Sequence, residues 1–129
     1  MKVFIVEDAE LMRQHLVSML VEIPGIKISG YAVNETSAIA HVDEVRPDVV
    51  ILDLSLQDGS GISVLEHIKK NRPETKVMVL TNYTDDFYFN RCKRAGADYF
   101  FDKSFQFMKV GAALWQLIHA GRSGVDPEV

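Results

Sequence analysis

The chain has 129 residues, of which 47% are hydrophobic and 25% are charged, and its formal net charge is -4 at pH 7 with neutral histidines. This composition is typical of one globular domain, and no stretch approaches the ~20 apolar residues that span a bilayer. The acidic balance and the dispersed basic residues argue against direct binding to nucleic acid or to a membrane. Because the start MKVFIVEDAE lacks the long apolar region of an export signal, we expect a cytoplasmic location.

Short apolar runs alternate with helix-like segments along the chain. Strands are predicted at residues 3–6, 26–32, 49–54, 76–80 and 99–102, and helices at 11–23, 35–45, 62–71 and 85–94, with a last helix after Ser104. This alternation predicts an α/β fold with a five-stranded parallel sheet, and right-handed crossovers make it doubly wound, with helices on both faces. We expect one domain over residues 1–120 and a C-terminal tail over 121–129.

Polar residues with short side chains mark three of the helix starts. Asn34 and Ser104 are suitable N-caps, and Asp85 with Asp86 places negative charge at the positive end of a helix dipole. The sequence therefore predicts capped starts for the second, fourth and fifth helices.

Charged side chains lie at or just after the ends of three of the predicted strands. Glu7 and Asp8 come after the first apolar run, Asp53 lies in the third, and Lys103 follows the fifth. In a doubly wound sheet the carboxyl ends of the strands share one edge, where ligands bind. A small interior does not tolerate this much unpaired charge. Because Mg²⁺ prefers oxygen ligands and is commonly bound by carboxylates with a phosphate, we predict a site for magnesium and a phosphoryl group.

The third strand supplies the best candidate for a nucleophile at this site. Asp53 ends an unbroken run of β-branched residues and leucine, which is typical of a central parallel strand covered on both faces. A carboxylate beside a bound cation can attack phosphorus and form an acyl phosphate. Phosphoryl transfer needs cations and hydrogen-bond donors placed near the phosphoryl oxygens, and Lys103 and the hydroxyl of Thr81 meet this need.

These residues, in this order and spacing, resemble the receiver domain of the two-component response regulators, from Met1 to about Ala120. The resemblance implies a flavodoxin-like fold. It implies that Asp53 accepts the phosphoryl group and that magnesium is bound by Glu7, Asp8, Asp53 and the backbone carbonyl of Ser55. It also implies that Thr81 and Phe100 act as switch residues and that Lys103 is the lysine found at the active site of the family.

The resemblance also implies a stand-alone phosphoacceptor protein that is not an enzyme in the ordinary sense, although it assists its own phosphorylation and dephosphorylation. A histidine kinase or a histidine phosphotransfer protein would donate the phosphoryl group to Asp53 in the presence of Mg²⁺. Thr81 would then turn toward the phosphoryl oxygens and Phe100 would swing inward. The face made by the fourth helix, fifth strand and fifth helix would consequently change the proteins that it binds.

The chain departs from the family pattern at three loop positions. Gln57 stands where proline is usual, which predicts a looser loop after Asp53. Asn82 stands where a very small residue is usual, and its bulk predicts slow self-dephosphorylation by obstructing the attacking water. Ser104 replaces a proline whose preceding bond is usually cis. A cis bond before serine costs ~2.5–4 kcal/mol, so this bond is either trans or a source of strain.

Three consecutive aromatic residues begin the fourth helix, so they do not all face the core. We expect Phe89 to be buried with Cys92, which leaves Phe87 or Tyr88 exposed as part of a partner-binding face. Phe105 and Trp115 either extend this face or pack inward.

Two other functions remain open from the sequence. A magnesium-dependent phosphohydrolase is disfavoured, because Ser55 stands where many such enzymes place a second Asp as acid and base. A phosphate-independent adaptor is disfavoured by the full set of carboxylates and by Lys103.

Overall fold

The computed structural model describes residues 1–120, so the predicted tail at 121–129 lies outside the described residues. The strands are β1 (Lys2–Val6), β2 (Lys27–Ala32), β3 (Val49–Leu52), β4 (Lys76–Thr81) and β5 (Tyr99–Asp102), and the helices are α1 (Glu10–Leu20), α2 (Glu35–Val45), α3 (Gly61–Asn71), α4 (Asp86–Arg94) and α5 (Phe107–His119). Strands and helices alternate strictly, as the sequence predicts.

The five strands form one parallel sheet in the order β2-β1-β3-β4-β5. This order reverses direction between β1 and β3, and such a switch point opens a crevice at the carboxyl ends of the strands. The predicted doubly wound, flavodoxin-like fold is therefore confirmed. No helix among the described residues is both long enough and apolar enough to cross a membrane.

Two hydrophobic clusters cover the two faces of the sheet, because successive side chains of a strand point to opposite faces. In β1, Phe4 contributes to the cluster under α2, α3 and α4, while Ile5 contributes to the cluster under α1 and α5. All four residues of β3 are buried, as expected for a central strand covered on both sides. The sheet is thus covered on both faces, and the loops lie at its carboxyl edge.

Two of the three predicted caps are confirmed. The side chain of Asn34 accepts a hydrogen bond from the backbone of Ser37, and that of Asp85 accepts one from Tyr88. The cap at Ser104 is wrong, because α5 begins only at Phe107 and the side chain of Asp102 binds the Ser104 backbone at 2.8 Å instead. Asp102 closes a turn directly after β5, and this turn delays the helix.

Several element ends differ from prediction by a few residues. The first helix ends at Leu20 and not near Ile23, and β3 ends at Leu52 and not at Leu54. The carbonyl of Leu54 instead accepts a hydrogen bond from Gly61, so the chain leaves the sheet immediately after Asp53. Asp53 therefore lies at the sheet edge, where the loops converge.

Candidate functional site

The carboxyl edge of the sheet gathers three carboxylates from β1 and β3. The two strands are neighbours with Val6 opposite Leu52, so Glu7 and Asp53 both follow the last paired residues. One oxygen from each of Glu7, Asp8 and Asp53 lies within 4.8 Å of the others. Glu7 and Asp53 are only 2% and 6% exposed, and Asp8 is more open to solvent. Hard oxygen donors at this spacing fit a magnesium ion.

Lys103 brings a cation into the same cluster from the end of β5. Its Nζ lies 2.6 Å from Glu7 Oε1 and 3.0 Å from Asp53 Oδ2. Burial on its own would lower the pKa of Lys103, but the hydrogen bonds to Glu7 and Asp53 outweigh burial and raise this pKa above its ordinary value. The ammonium therefore remains charged between the two carboxylates.

The burial of Glu7 affects its charge. Burial raises the pKa of Glu7, and the charge of Asp53 adds to this increase, while hydrogen bonds from Lys103 and the Ala9 backbone oppose it. A divalent cation at the three carboxylates would reverse the effect of burial, because it favours the ionised form. The three carboxylates therefore favour the binding of a cation.

Thr81 and Phe100, which the sequence predicts to act as switch residues, lie on β4 and β5. Thr81 ends β4 and is fully buried, and its hydroxyl accepts a hydrogen bond of 3.0 Å from the Tyr83 backbone. Phe100 lies in β5, partly buried against the core under α4, and meets the ring of Phe89 edge-on at 5.3 Å. Thr81 is therefore placed at the edge of the site, while Phe100 connects the sheet to α4.

The loop after Asp53 is held by contacts that the sequence did not reveal. The backbone of Glu35 donates to the carbonyl of Asp58 at 3.0 Å, and the Glu35 carboxylate accepts from the Ser60 backbone at 2.8 Å. Ser55 and Ser60 also form an antiparallel bridge across the loop. These bonds tie the loop to the start of α2, although Gln57 replaces the usual proline.

Gly61 allows this loop to close directly against the end of β3. A Cβ atom at Gly61 would overlap the carbonyl oxygen of Asp53 and the Cα atom of Leu54, both of which belong to the backbone. A larger residue would therefore displace the strand end that carries Asp53.

Two other loops meet beside the site. The Ser104 hydroxyl donates to Asn82 Oδ1 at 3.2 Å, and the Tyr83 hydroxyl donates to Ser55 Oγ at 3.4 Å. No cis peptide bond occurs within residues 1–120, so the bond between Lys103 and Ser104 is trans. The first of the two possibilities for this bond is the one that the structure adopts.

The aromatic residues of α4 are arranged differently from the prediction in one respect. Cys92 is fully buried as expected, but Phe89 is 42% exposed, and Tyr88 packs against the core instead. Tyr88 and Phe89 lie four and three residues before Cys92, and either spacing is compatible with the face of Cys92. The orientation of α4 turns Tyr88, and not Phe89, toward the core. Phe87 is 62% exposed, and Phe105 and Trp115 are exposed as well.

A doubly wound sheet that presents three carboxylates and a partly buried lysine at its carboxyl edge has the architecture of a receiver-type α/β domain. A model of the response regulator receiver domain family matches residues 3–114, and the chain belongs to this family.

Individual relatives agree with this assignment. The DNA-binding transcriptional activator DevR/DosR of Mycobacterium tuberculosis is 35% identical over 125 residues, which cover 97% of this chain and 57% of that protein. The response regulator protein VraR of Staphylococcus aureus is 31% identical over 128 residues, which cover 99% of this chain and 61% of that protein. The chain therefore spans less than two thirds of the length of these curated relatives.

Solved structures show the same fold. The response regulator domain of Thermotoga maritima CheB has a TM-score of 0.80 and 28% identity, covering 98% of each chain. The signal receiver domain of the DNA binding response regulator protein (merR) from Colwellia psychrerythraea 34H has a TM-score of 0.83 and 28% identity, covering 92% of this chain and 98% of that one.

Proposed function

We propose that Asp53 accepts a phosphoryl group from a phosphohistidine on a histidine kinase or a histidine phosphotransfer protein. The observation that carries this proposal is the placement of the Asp53 carboxylate, which is buried at the sheet edge, 3.0 Å from the Lys103 ammonium and close to the oxygens of Glu7 and Asp8. Burying a carboxylate is costly unless it is paired, and this paired carboxylate is suitably placed for attack on phosphorus.

The transfer exchanges one bond to phosphorus for another. An Asp53 oxygen forms the new bond to phosphorus while the bond from phosphorus to the donor imidazole nitrogen breaks, and the imidazole keeps that electron pair. The product is an acyl phosphate, and the Lys103 ammonium offsets part of its added negative charge. A bound Mg²⁺, held by the three carboxylates and the Ser55 backbone carbonyl, would supply further charge neutralisation.

The phosphoryl group then serves as the switch of a binding protein. It adds about -1.5 to -2 charges at the site, and the Thr81 hydroxyl and the Lys103 ammonium are the groups that respond to it. The face of α4, β5 and α5, with Phe100 behind it and Phe87 and Tyr88 at its edge, would change shape. A coupling of ~1–3 kcal/mol would change the affinity for a partner about 5–150-fold.

The scope of this function is one receiver domain over residues 1–120, acting in the cytoplasm as a phosphoacceptor and not as a catalyst of turnover. DevR/DosR, of which this chain covers 57%, is named as DNA-binding. For the residues of this chain we propose no direct contact with nucleic acid, because the net charge is -4 and the basic residues are dispersed. Saturable binding of a labelled DNA duplex by the purified chain would contradict this.

The proposal is tested by incubating the protein with Mg²⁺ and a small acyl phosphate, followed by intact mass measurement. We expect one phosphoryl addition to the wild type, none to Asp53→Asn, and normal addition to Asp58→Asn, which removes an exposed carboxylate from the same loop. Absence of uptake by well-folded wild-type protein would support the phosphate-independent adaptor. Repeated release of phosphate from phosphomonoesters would support the phosphohydrolase.

A further inference from the structure

We infer that Tyr83 carries the phosphorylation signal from Ser55 to the exposed aromatic residues at the start of α4, by a route separate from Phe100. The inference rests on the proposed function, because it needs a phosphoryl group at Asp53. Tyr83 is a coupling residue here and takes no part in the transfer reaction itself.

The route begins at the phosphoacceptor. The Ser55 backbone donates a hydrogen bond of 3.2 Å to Asp53 Oδ1, so Ser55 is in direct contact with the carboxylate that would be modified. The hydroxyl of the same residue accepts a hydrogen bond of 3.4 Å from the Tyr83 hydroxyl. Ser55 therefore joins the acceptor carboxylate to a side chain of the loop between β4 and α4.

Tyr83 is also bonded to the switch hydroxyl. Its backbone donates to Thr81 Oγ1 at 3.0 Å, while its hydroxyl reaches Ser55 on the other side of the site. A change at either Thr81 or Ser55 consequently alters a hydrogen bond of Tyr83. The long bond to Ser55 can shorten when its partners become better donors or acceptors.

The ring of Tyr83 connects these bonds to the surface. It stacks on Tyr88 with ring centroids 5.0 Å apart and an interplanar angle of 28°, and Tyr88 meets Phe87 edge-on at 5.1 Å. Phe87 is 62% exposed, and Tyr88 is anchored at the first turn of α4 by its backbone bond to Asp85. Contacts therefore continue without a gap from Asp53 to an exposed aromatic side chain.

Phosphorylation would act on this route through the Ser55 hydroxyl. In the structure this hydroxyl accepts from Tyr83, so its own proton is available to donate to a phosphoryl oxygen beside Asp53. A hydrogen bond to an ionised acceptor is shorter and stronger than a neutral one, and linked hydrogen bonds polarise one another. The bond from Tyr83 to Ser55 would tighten, and the stacked Tyr88 and the first turn of α4 would follow it.

The Phe100 route reaches a different part of the same helix. Phe100 contacts Phe89, which is more than a third exposed and does not share the face of Tyr88. Tyr83 of the β4–α4 loop thus contacts Tyr88, and Phe100 of β5 contacts the next residue of α4, Phe89. Spatial continuity alone does not prove coupling, so the two routes have to be separated by experiment.

The experiment compares the backbone amide NMR shifts of α4 and of Phe100 before and after phosphorylation with Mg²⁺ and a small acyl phosphate. Intact mass measurement ensures that the same fraction of each protein is phosphorylated. Tyr83→Phe removes the hydroxyl and retains the ring that stacks on Tyr88. In this variant we expect the phosphorylation-induced shift changes at Phe87 and Tyr88 to fall by about half or more, with those at Phe89 and Phe100 retained. Phe100→Leu is the matched control and should reduce the shift change at Phe89 while retaining those at Phe87 and Tyr88.

A second comparison tests whether Ser55 and Tyr83 act together. If they share one route, the double variant Ser55→Ala with Tyr83→Phe should lose no more of the Phe87 shift change than either single variant. Unchanged Phe87 and Tyr88 responses in Tyr83→Phe would overturn the inference, as would additive losses or a Tyr83→Phe protein unable to accept the phosphoryl group. Lack of uptake by the wild type would instead reject the proposed function.

Discussion

The carboxyl edge of the sheet and the start of α4 differ in what holds them in place. At the sheet edge, buried charges contact one another at 2.6 to 3.0 Å, and each has a partner of opposite sign. At the start of α4, exposed and half-buried aromatic rings contact one another through stacking and edge-on packing. The first arrangement is costly to disturb, whereas the second can shift at small cost. This difference suits a site that receives a charge and a surface that reports it.

Removing the cation of the sheet edge should have the largest effect on stability. Lys103→Met leaves Glu7 and Asp53 facing each other without the buried ammonium, and breaking such a pair typically costs about 3–5 kcal/mol in the free energy of unfolding. Urea denaturation without Mg²⁺ measures this loss. Added Mg²⁺ should stabilise the variant more than the wild type, because the ion replaces the missing positive charge.

Lys76→Met is the control for this experiment, because Lys76 is half exposed and lies 3.8 Å from Asp98. An exposed pair of this kind contributes about 0–1 kcal/mol. Equal losses in the two lysine variants would show that the charges at the sheet edge are not specially constrained.

Closing the space beside Asp53 should have the next largest effect. Gly61→Ala introduces a methyl group against the backbone of Asp53 and Leu54, and overpacking of this kind costs about 1–3 kcal/mol. Gly111→Ala offers a matched comparison, since the nearest atoms to its added Cβ belong to the flexible side chains of Met19 and Ile23, at 3.3 Å or more. Thermal unfolding should separate the two variants, and a Gly61→Ala protein as stable as Gly111→Ala would contradict the close approach at Asp53.

The buried side of α4 should be chemically inert, in contrast to its aromatic side. Burial raises the pKa of the Cys92 thiol to about 11, and the side chain has no exposed surface. Because the thiolate is the reactive form, alkylation of the folded protein at pH 8 should be at least about 100-fold slower than in denaturant. Rapid labelling of native protein, followed by mass spectrometry, would show that α4 opens from the core.

The smallest effect is expected at Asn82, which lies between the two regions. Asn82→Ala should speed the loss of the phosphoryl group about threefold, a change in barrier of less than 1 kcal/mol, because less bulk obstructs the attacking water. Ser104→Ala removes the hydrogen bond to Asn82 but leaves its side chain in place, so this control should decay like the wild type. An unchanged decay rate in Asn82→Ala would reject the crowding explanation.

The sheet and its charged edge could be predicted from the sequence, because apolar runs alternate with helix-like segments and charged residues stand where three of these runs end. The positions of Glu7, Asp53 and Lys103 at strand ends follow from the fold alone. The structure adds the distances between them and the fully buried state of Thr81.

The contacts between loops could not be predicted in the same way. The clamp of Glu35 on Ser60 and the bond from Tyr83 to Ser55 join residues 25 and 28 positions apart, and no periodicity indicates them. The expectation for Phe89 was wrong because Phe89 and Tyr88 lie three and four residues before the buried Cys92, and both spacings are compatible with one helix face. The sequence alone does not fix the rotation of α4 that turns Tyr88 toward the core.

The most direct test of the central claim identifies which carboxyl group carries the phosphoryl group. Borohydride reduces an acyl phosphate to an alcohol, so treatment of the phosphorylated protein followed by peptide mapping marks the modified residue. After incubation with Mg²⁺ and a small acyl phosphate, we predict the alcohol at position 53, with Glu7, Asp8 and Asp58 unmodified. A reduced carboxyl at any other position, or a phosphoryl group found on a histidine with Asp53 intact, would contradict the account.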